Sequence, residues 1–417
     1  MSNMTIQLRR KRIFLGVIFL VAAFTILKTA SYENLVLIAN ISSDRRLYLV
    51  KNSQELSANA VVILPPTTRA ITIVPKEQVN HDIVINSYMR SGSSFLGQLI
   101  AYRPDTFYWY EPLWNYDSGV YYWGKDYVCT NHINCGYARN RNLNIGKMHE
   151  TLYNIYKCDF SLLAPALAEQ MTPNYSGNIW KPYKSCRARG KSVEICLKRM
   201  ETVCKNAKHR TTKIVRLTVD NLEYVLEHLP TVKVIHLMRD PRAIINSRIT
   251  TTWYHLHETP YDNHRRIMTE AKDLCLRMKY DLKAATVLKQ KYPGRFAIIM
   301  FEDLQTDMKA KTQMLYSYVG IDKSSVESKL GNMTGILQEE HNVNRTRGNY
   351  SNWWRHQLSY GAVKVIDSVC KNVSDVLGYK IFSSESQLED ESLKAFFFRK
   401  EVLLENIYLN KLYDFYL

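Results

Sequence analysis

The chain has 417 residues, 46% of them hydrophobic, with 16 glycines and 12 prolines, a composition that excludes a disordered, collagen-like or elastic filament. At about 150 residues per domain this length allows one large or two ordinary domains, enough to bury a core without depending on cross-links. Lysine and arginine outnumber aspartate and glutamate by 56 to 39, a net charge of +17 that favours polyanionic partners: nucleic acid, anionic lipid, phosphate-bearing cofactors or acidic glycans.

The elements follow in chain order. Residues 1–12 end in the basic run Arg9-Arg10-Lys11-Arg12, read as a cytoplasmic tail, and an uncharged stretch over 13–27 is closed by Lys28. With a snorkelling lysine this predicts a transmembrane signal-anchor over 13–29, positive end in the cytoplasm and the remainder in the lumen. A cleaved signal peptide competes, but cleavage after Ala30 would put Lys28 where the processing site wants a small residue. Residues 30–80 are polar and contain Pro65-Pro66-Thr67-Thr68, as in a stem. Eight cysteines (129, 135, 158, 186, 196, 204, 275 and 370) with no C-x-x-C pair, and glycosylation sequons at Asn40, Asn174, Asn332, Asn344, Asn349 and Asn372, agree with an oxidising luminal compartment. A luminal location removes nucleic acid as a partner.

From residue 81 the pattern changes to short apolar runs followed by helical stretches, the signature of an α/β domain with a central parallel sheet and flanking helices. The runs are Ile83-Val84-Ile85, Lys213-Ile214-Val215-Arg216-Leu217, Val232-Lys233-Val234-Ile235-His236-Leu237 and Phe296-Ala297-Ile298-Ile299-Met300, which predict four strands. Residues 108–204, rich in Tyr and Trp and holding six of the cysteines, break the rhythm and read as an insertion beside the sheet. The domain is expected over 81–382; the tail over 383–417, acidic and then apolar, carries no readable role.

Two segments carry chemistry. In Ile85-Asn86-Ser87-Tyr88-Met89-Arg90-Ser91-Gly92-Ser93-Ser94-Phe95 a strand runs into a small-residue turn and a helix start. Backbone N–H groups at 92–95 converge there with the positive helix end, Gly92 permits close approach, Ser93 and Ser94 bring hydroxyls, and Arg90 brings a fixed charge, an arrangement that holds an anion. An ordinary capped helix is the plainer alternative. Gly92 and Gly97 fit the start of a nucleotide-triphosphate loop, but Gln98 and Leu99 stand where Lys and Ser/Thr are needed, which disfavours a kinase or ATPase. In the second segment, Leu237-Met238-Arg239-Asp240-Pro241-Arg242, a strand ends at a charged corner; Asp240 caps a helix begun by Pro241, and Ser247 lies further along it. Arg239 and Ser247 can grip a second phosphate, unless Arg239 is spent on Asp240 or a neighbouring carboxylate.

Together the two segments resemble the Golgi carbohydrate sulfotransferases, in particular the branch that sulfates the 6-hydroxyl of N-acetylglucosamine, galactose or N-acetylgalactosamine. The resemblance continues through Phe107-Tyr108-Trp109-Tyr110-Glu111-Pro112-Leu113, Cys158-Asp159-Phe160-Ser161, Phe301-Glu302-Asp303-Leu304, Trp354-Arg355 and the stretch from Cys370 to Tyr379, spanning roughly residues 83–382. It implies a P-loop-like fold that binds 3′-phosphoadenosine 5′-phosphosulfate (PAPS) as co-substrate without a metal. The first segment (Arg90, Ser91, Gly92, Ser93, Ser94, Phe95) would then hold the 5′-phosphosulfate, with Arg90 also stabilising the leaving phosphate, and Arg239 and Ser247 would hold the 3′-phosphate. A glycan or proteoglycan would be the acceptor, and a single-pass type II protein of the Golgi membrane the setting. Relatives place a catalytic glutamate at a similar interval after the first loop, which points to Glu111 as the base for the sugar hydroxyl; Pro112 predicts an extended backbone there. Glu111 paired with an arginine such as Arg90 is the structural alternative, with His236 and Glu302 then in reserve as base. His255, His257 and Glu258, and Cys129, His132 and Cys135, lack a second ligand pair at zinc spacing, and the two cysteines are expected to close a small loop. A Golgi glycosyltransferase is disfavoured because no D-x-D motif is present, and a non-catalytic glycan-binding protein because both phosphate segments are intact.

Overall fold

The computed structural model describes residues 82–322 and 351–397, apart from short internal stretches, together with a few residues before position 80. The chain divides into two units, Met1–Val79 and Asn80–Leu417. In the first, Leu35–Val36 pairs antiparallel with Val74–Pro75, and Val61–Val62 with Ile71–Thr72. The anchor expected over 13–29 lies outside the described residues, and none of the described helices is long and apolar enough to cross a membrane.

The second unit begins with β1 (Asp82–Ser87), α1 (Ser93–Ala101) and β2 (Thr106–Tyr110). A small antiparallel sheet follows, β3 (Val120–Trp123), β4 (Tyr127–Thr130) and β5 (Asn134–Tyr137), and then α2 (Arg141–Lys157), α3 (Lys181–Ala188) and α4 (Val193–Asn206). The main sheet resumes with β6 (His209–Ile214), α5 (Glu223–His228), β7 (Val232–Met238), α6 (Pro241–Ile249), the long α7 (His264–Lys291) and β8 (Phe296–Met300). The described chain ends with α8 (Phe301–Thr306), α9 (Met308–Val319), α10 (Trp354–Gln357), α11 (Tyr360–Leu377) and α12 (Glu385–Glu389).

Five parallel strands in the order β8-β7-β1-β6-β2 make the sheet. Ile83-Val84-Ile85 of its central strand are apolar in succession because both faces are covered. Ile83 and Ile85 pack with Ile235 and Leu237 beneath α1 and α9, whereas Val84 and Val234 pack on the opposite face with residues of α2 and α5. The chain leaves β1 towards β2 at one edge and returns across it from β6 to β7, so a topological switch point falls at the C-terminal end of β1, where open α/β sheets bind ligands.

The sheet corrects two expectations. It has five strands rather than four: β2, inside the aromatic stretch assigned to the insertion, is its edge strand. The strand expected from Lys213 to Leu217 ends at Ile214 and begins earlier, at His209, where Thr211 and Thr212 are buried in place of aliphatic residues and the Thr212 hydroxyl lies 2.7 Å from that of Tyr156. β-Branched threonine suits a pleated surface, and a hydrogen bond removes the cost of burying its hydroxyl.

The rest of 108–204 does pack beside the sheet, around Phe107, Trp109, Phe160 and Trp180, and is cross-linked by Cys158–Cys204 and Cys186–Cys196. A third disulfide, Cys275–Cys370, ties α7 to α11, and the backbone register opposes Cys129 and Cys135. After Ser384 the chain remains part of the packed unit as far as the structure describes it. Leu388 and Ala395 are buried, and the Arg355 guanidinium donates to the carbonyls of Gln387, Leu388, Asp390 and Leu393. The helix expected at the extreme C-terminus lies outside the described residues. Of the sequons, Asn372 is exposed on α11 and the other asparagines lie outside the described residues.

Candidate active site

Most candidate residues lie at the C-terminal end of a parallel strand or in the turn just beyond it; Ser93, Ser94 and Phe95 open α1, Ser247 lies within α6 and His236 within β7. β1 leads into Tyr88, Arg90 and Ser91; β2 into Glu111; β7 into Arg239 and Asp240; β8 into Phe301 and Glu302. Residues far apart in sequence are thus gathered on one rim.

The loop after β1 turns through Arg90 at φ 72 and Gly92 at φ 92, and α1 starts at Ser93. A Cβ at position 92 would come within 2.3 Å of the Phe301 ring, so the close approach of backbone to ring requires glycine there. Ser91 is fully buried, and its Oγ has no hydrogen-bond partner among the described residues. Buried hydroxyls are nearly always satisfied, so this one is available to a bound group that reaches the loop. Ser93 is buried, while Ser94 and Phe95 are half-buried, Phe95 edge-on to Phe301.

The two phosphate-type segments meet. The Arg90 Nε donates to the Ser247 Oγ at 3.0 Å, and the Arg239 Nη1 donates to the Arg90 carbonyl at 3.0 Å. The Arg239 guanidinium lies 4.5 Å over the Phe301 ring; burial pulls its pKa below the usual value, with the Arg90 charge adding to that and Glu302 opposing it. The cap on α6 forms as expected, Asp240 accepting from the Arg242 N–H at 2.9 Å with Pro241 in the first turn. The Asp240 carboxylate is gripped at both oxygens by the Arg242 guanidinium.

Glu111 lies at φ 40, not in the extended backbone expected before Pro112. Its N–H donates to the Lys213 carbonyl at 3.0 Å and its own carbonyl accepts from Trp114 N–H at 3.0 Å, a turn that outweighs the pre-proline preference. Among the described residues only Arg90, Glu111 and Cys158 are non-glycine residues with positive φ. Such conformations cost on the order of 1–3 kcal/mol and cluster at functional sites; two of the three are candidate residues on this rim. The Glu111 carboxylate is buried, and Oε1 accepts from the Lys213 ammonium rather than from an arginine. Burial depresses the Lys213 pKa, but the Glu111 charge and hydrogen bond outweigh it and leave the ammonium above its usual value. Oε2 is buried with no partner among the described residues.

Lys213 is the residue that the sequence reading did not place in the site. It was visible only as part of a strand, and nothing local links it to Glu111 until β2 is recognised as the neighbour of β6. The reserve bases fit less well. His236 is fully buried, its Nδ1 donating to Asn86 at 2.7 Å, and burial first, then the Arg277 charge, lowers its pKa to about 3, so it stays neutral inside the core. Glu302 accepts from the Asp240 N–H and the Tyr379 hydroxyl, both at 2.9 Å, and is raised to about 7 by burial and then by Asp240; its two oxygens brace the loop after β7. Among the described residues no three His, Cys, Asp or Glu side chains gather as a metal site; His255 and Glu258 lie outside them.

A parallel α/β sheet with an anion-type loop at its switch point and a second cationic corner beside it is an arrangement suited to an anionic ligand. The family described as "Sulfotransferase family" matches residues 82–325, more than half the chain, and the chain belongs to it. Among curated proteins it is similar to carbohydrate sulfotransferase 1 of Danio rerio, 27% identical over 351 residues, covering 75% of this chain and 80% of the relative. It is also similar to human carbohydrate sulfotransferase 6, 25% identical over 356 residues, covering 75% and 84%. Among solved structures, the mouse sulfotransferase SULT7A1 complexed with PAP is 10% identical, covering 75% of this chain and 89% of that one at a TM-score of 0.34.

Proposed function

We propose that the protein transfers the sulfuryl group of PAPS to a carbohydrate hydroxyl, the 6-hydroxyl of N-acetylglucosamine, galactose or N-acetylgalactosamine in a glycan or proteoglycan chain. The observation that carries this reading is the contact of the two anion-type segments through Arg90, Ser247 and Arg239, beside the buried Ser91 hydroxyl that has no partner among the described residues. The residues present suit such a co-substrate: two guanidiniums for two phosphate-type groups, hydroxyl and backbone donors over 91–95, and a glycine where the backbone must come close. PAPS supplies an activated sulfuryl group on a phosphate leaving group.

The chain's own residues have distinct tasks. Arg90, Ser91, Gly92, Ser93, Ser94 and Phe95 hold the phosphosulfate end, and Arg90 neutralises charge there without giving up a proton, since a guanidinium does not deprotonate. Arg239 and Ser247 hold the 3′-phosphate, remote from the reacting centre, and so fix orientation. Glu111 takes the proton of the sugar hydroxyl through Oε2, which has no partner among the described residues, with Oε1 held by Lys213. Residues 13–29 anchor the protein in the Golgi membrane as a single-pass type II protein with residues 81–417 luminal; protease treatment of intact microsomes that digests those residues without detergent would sink that topology.

The activity is tested by incubating the full chain with radiolabelled PAPS and a panel of desulfated glycans. Label is expected in a glycan carrying a free 6-hydroxyl. A chain that binds adenosine 3′,5′-bisphosphate (PAP) and glycan but transfers no label to any of them would refute catalysis and leave a glycan-binding protein of this fold.

A further inference from the structure

The aromatic stretch around Glu111 has one feature that sulfuryl transfer does not account for. Tyr175 keeps 40% of its surface exposed, yet its ring is stacked on that of Tyr110, with centroids 5.0 Å apart and planes 30° from parallel. Isolated exposed aromatics are common on protein surfaces and need no explanation. This one is held in place and adjoins the site. The buried Ser176 hydroxyl accepts from the Tyr110 N–H at 2.9 Å, which ties the backbone beside Tyr175 to the end of β2. A few residues on, the Trp180 Nε1 donates to the Tyr108 carbonyl at 2.8 Å and holds the same segment against the same strand.

The row continues inward. The Lys213 Nζ lies 4.3 Å from the centroid of the Tyr110 ring and donates to Glu111 Oε1. An exposed ring, the ring that backs it, an ammonium and the carboxylate assigned as base thus contact one another in turn, from the surface to Glu111.

We infer that Tyr175, backed by Tyr110, is a stacking platform for a sugar ring of the acceptor glycan adjoining the one whose hydroxyl reaches Glu111. The occupant follows from the chemistry on both sides. A pyranose presents an apolar C–H face that packs on an aromatic ring and hydroxyls at its rim that stay in water, which matches a half-exposed tyrosine better than an apolar partner would. Tyr175 is already stacked on Tyr110 and its neighbour Ser176 already tied to β2, which lowers the ordering cost of the contact. The inference rests on the sulfotransferase reading and adds a subsite that selects for chain length: a monosaccharide can reach Glu111 without touching Tyr175, a longer glycan engages both.

The test uses the full chain saturated with PAP and an array of β-linked galactose and N-acetylglucosamine oligosaccharides alongside the monosaccharides. Tyr175→Ala is expected to weaken oligosaccharide binding by about 10-fold, the upper range for one aromatic contact. Tyr175→Phe should retain the binding, and the PAP Kd from calorimetry should not move. Equal oligosaccharide binding by wild type and Tyr175→Ala, or no preference of the wild type for oligosaccharides over monosaccharides, overturns the platform. Failure of the wild-type chain to bind PAP would instead remove the reading on which the platform rests.

Discussion

Glu111→Gln takes the charge from a carboxylate buried against the Lys213 ammonium, with side-chain exposures of 8% and 4%. The amide oxygen can still accept from Nζ, so what disappears is the ion pair and, on the proposed mechanism, the proton acceptor. Removing one member of a buried pair costs about 3–5 kcal/mol because the other charge is left uncompensated, whereas replacing both by neutral groups of similar size is close to neutral. The Lys213 ammonium has this dependence built in, since burial disfavours its charge and Glu111 reverses the effect. Glu111→Gln should therefore lower kcat by about 10²–10⁴, the span for losing a general base, and lower stability by up to about 3–5 kcal/mol. Glu111→Gln with Lys213→Met should regain most of that stability and none of the turnover. Denaturant unfolding reads stability, calorimetry with PAP checks that the co-substrate site is intact, and kcat is taken at saturating acceptor. If turnover returns together with stability in the double variant, Glu111 serves only the fold; near-normal kcat in Glu111→Gln removes it as base outright.

Three further outcomes are expected. Arg239→Ala and Ser247→Ala should each weaken PAP binding, the arginine by about 1.5–3 kcal/mol, since it gives a charged hydrogen bond to a phosphate; unchanged calorimetric affinity in both folded variants refutes the assigned 3′-phosphate site. Glu302, raised to about 7 in the fold from the usual carboxylate range, contributes stability that is fully present below its unfolded pKa and lost as pH rises through about 7. His236, lowered to about 3, works in the opposite sense below its unfolded pKa, so the quantity to measure is the difference between wild type and Glu302→Gln. Wild type should gain on the variant as pH falls from about 8 to 5, and a flat difference would show that Glu302 is not held protonated. Cys275→Ser with Cys370→Ser opens a cross-link spanning 95 residues between α7 and α11; stability should fall by about 3–5 kcal/mol, and an unfolding midpoint within error of wild type would contradict that constraint.

Much of the fold was legible because its signals are local. Ile83-Val84-Ile85 reads as a strand covered on both faces, and Asp240-Pro241 reads as a helix start, since a side-chain cap and a fixed φ act within a few residues. The two anion segments were legible for the same reason: a strand, a small-residue turn and a helix N-terminus lie next to one another in sequence. What tertiary structure alone decided is what depends on strand neighbours. β2 is apolar on the side that Trp180 and Phe160 cover and so looked like part of an aromatic insertion, and only its pairing with β6 makes it the sheet's edge. That pairing brings Lys213 to Glu111 across 102 positions, and the β1 and β7 pairing brings Arg90 to Ser247 across 157, distances over which no periodicity or spacing carries information. Sequence determined which groups could hold an anion and move a proton; the sheet order decided which of them meet, because strands adjacent in space need not be adjacent in the chain.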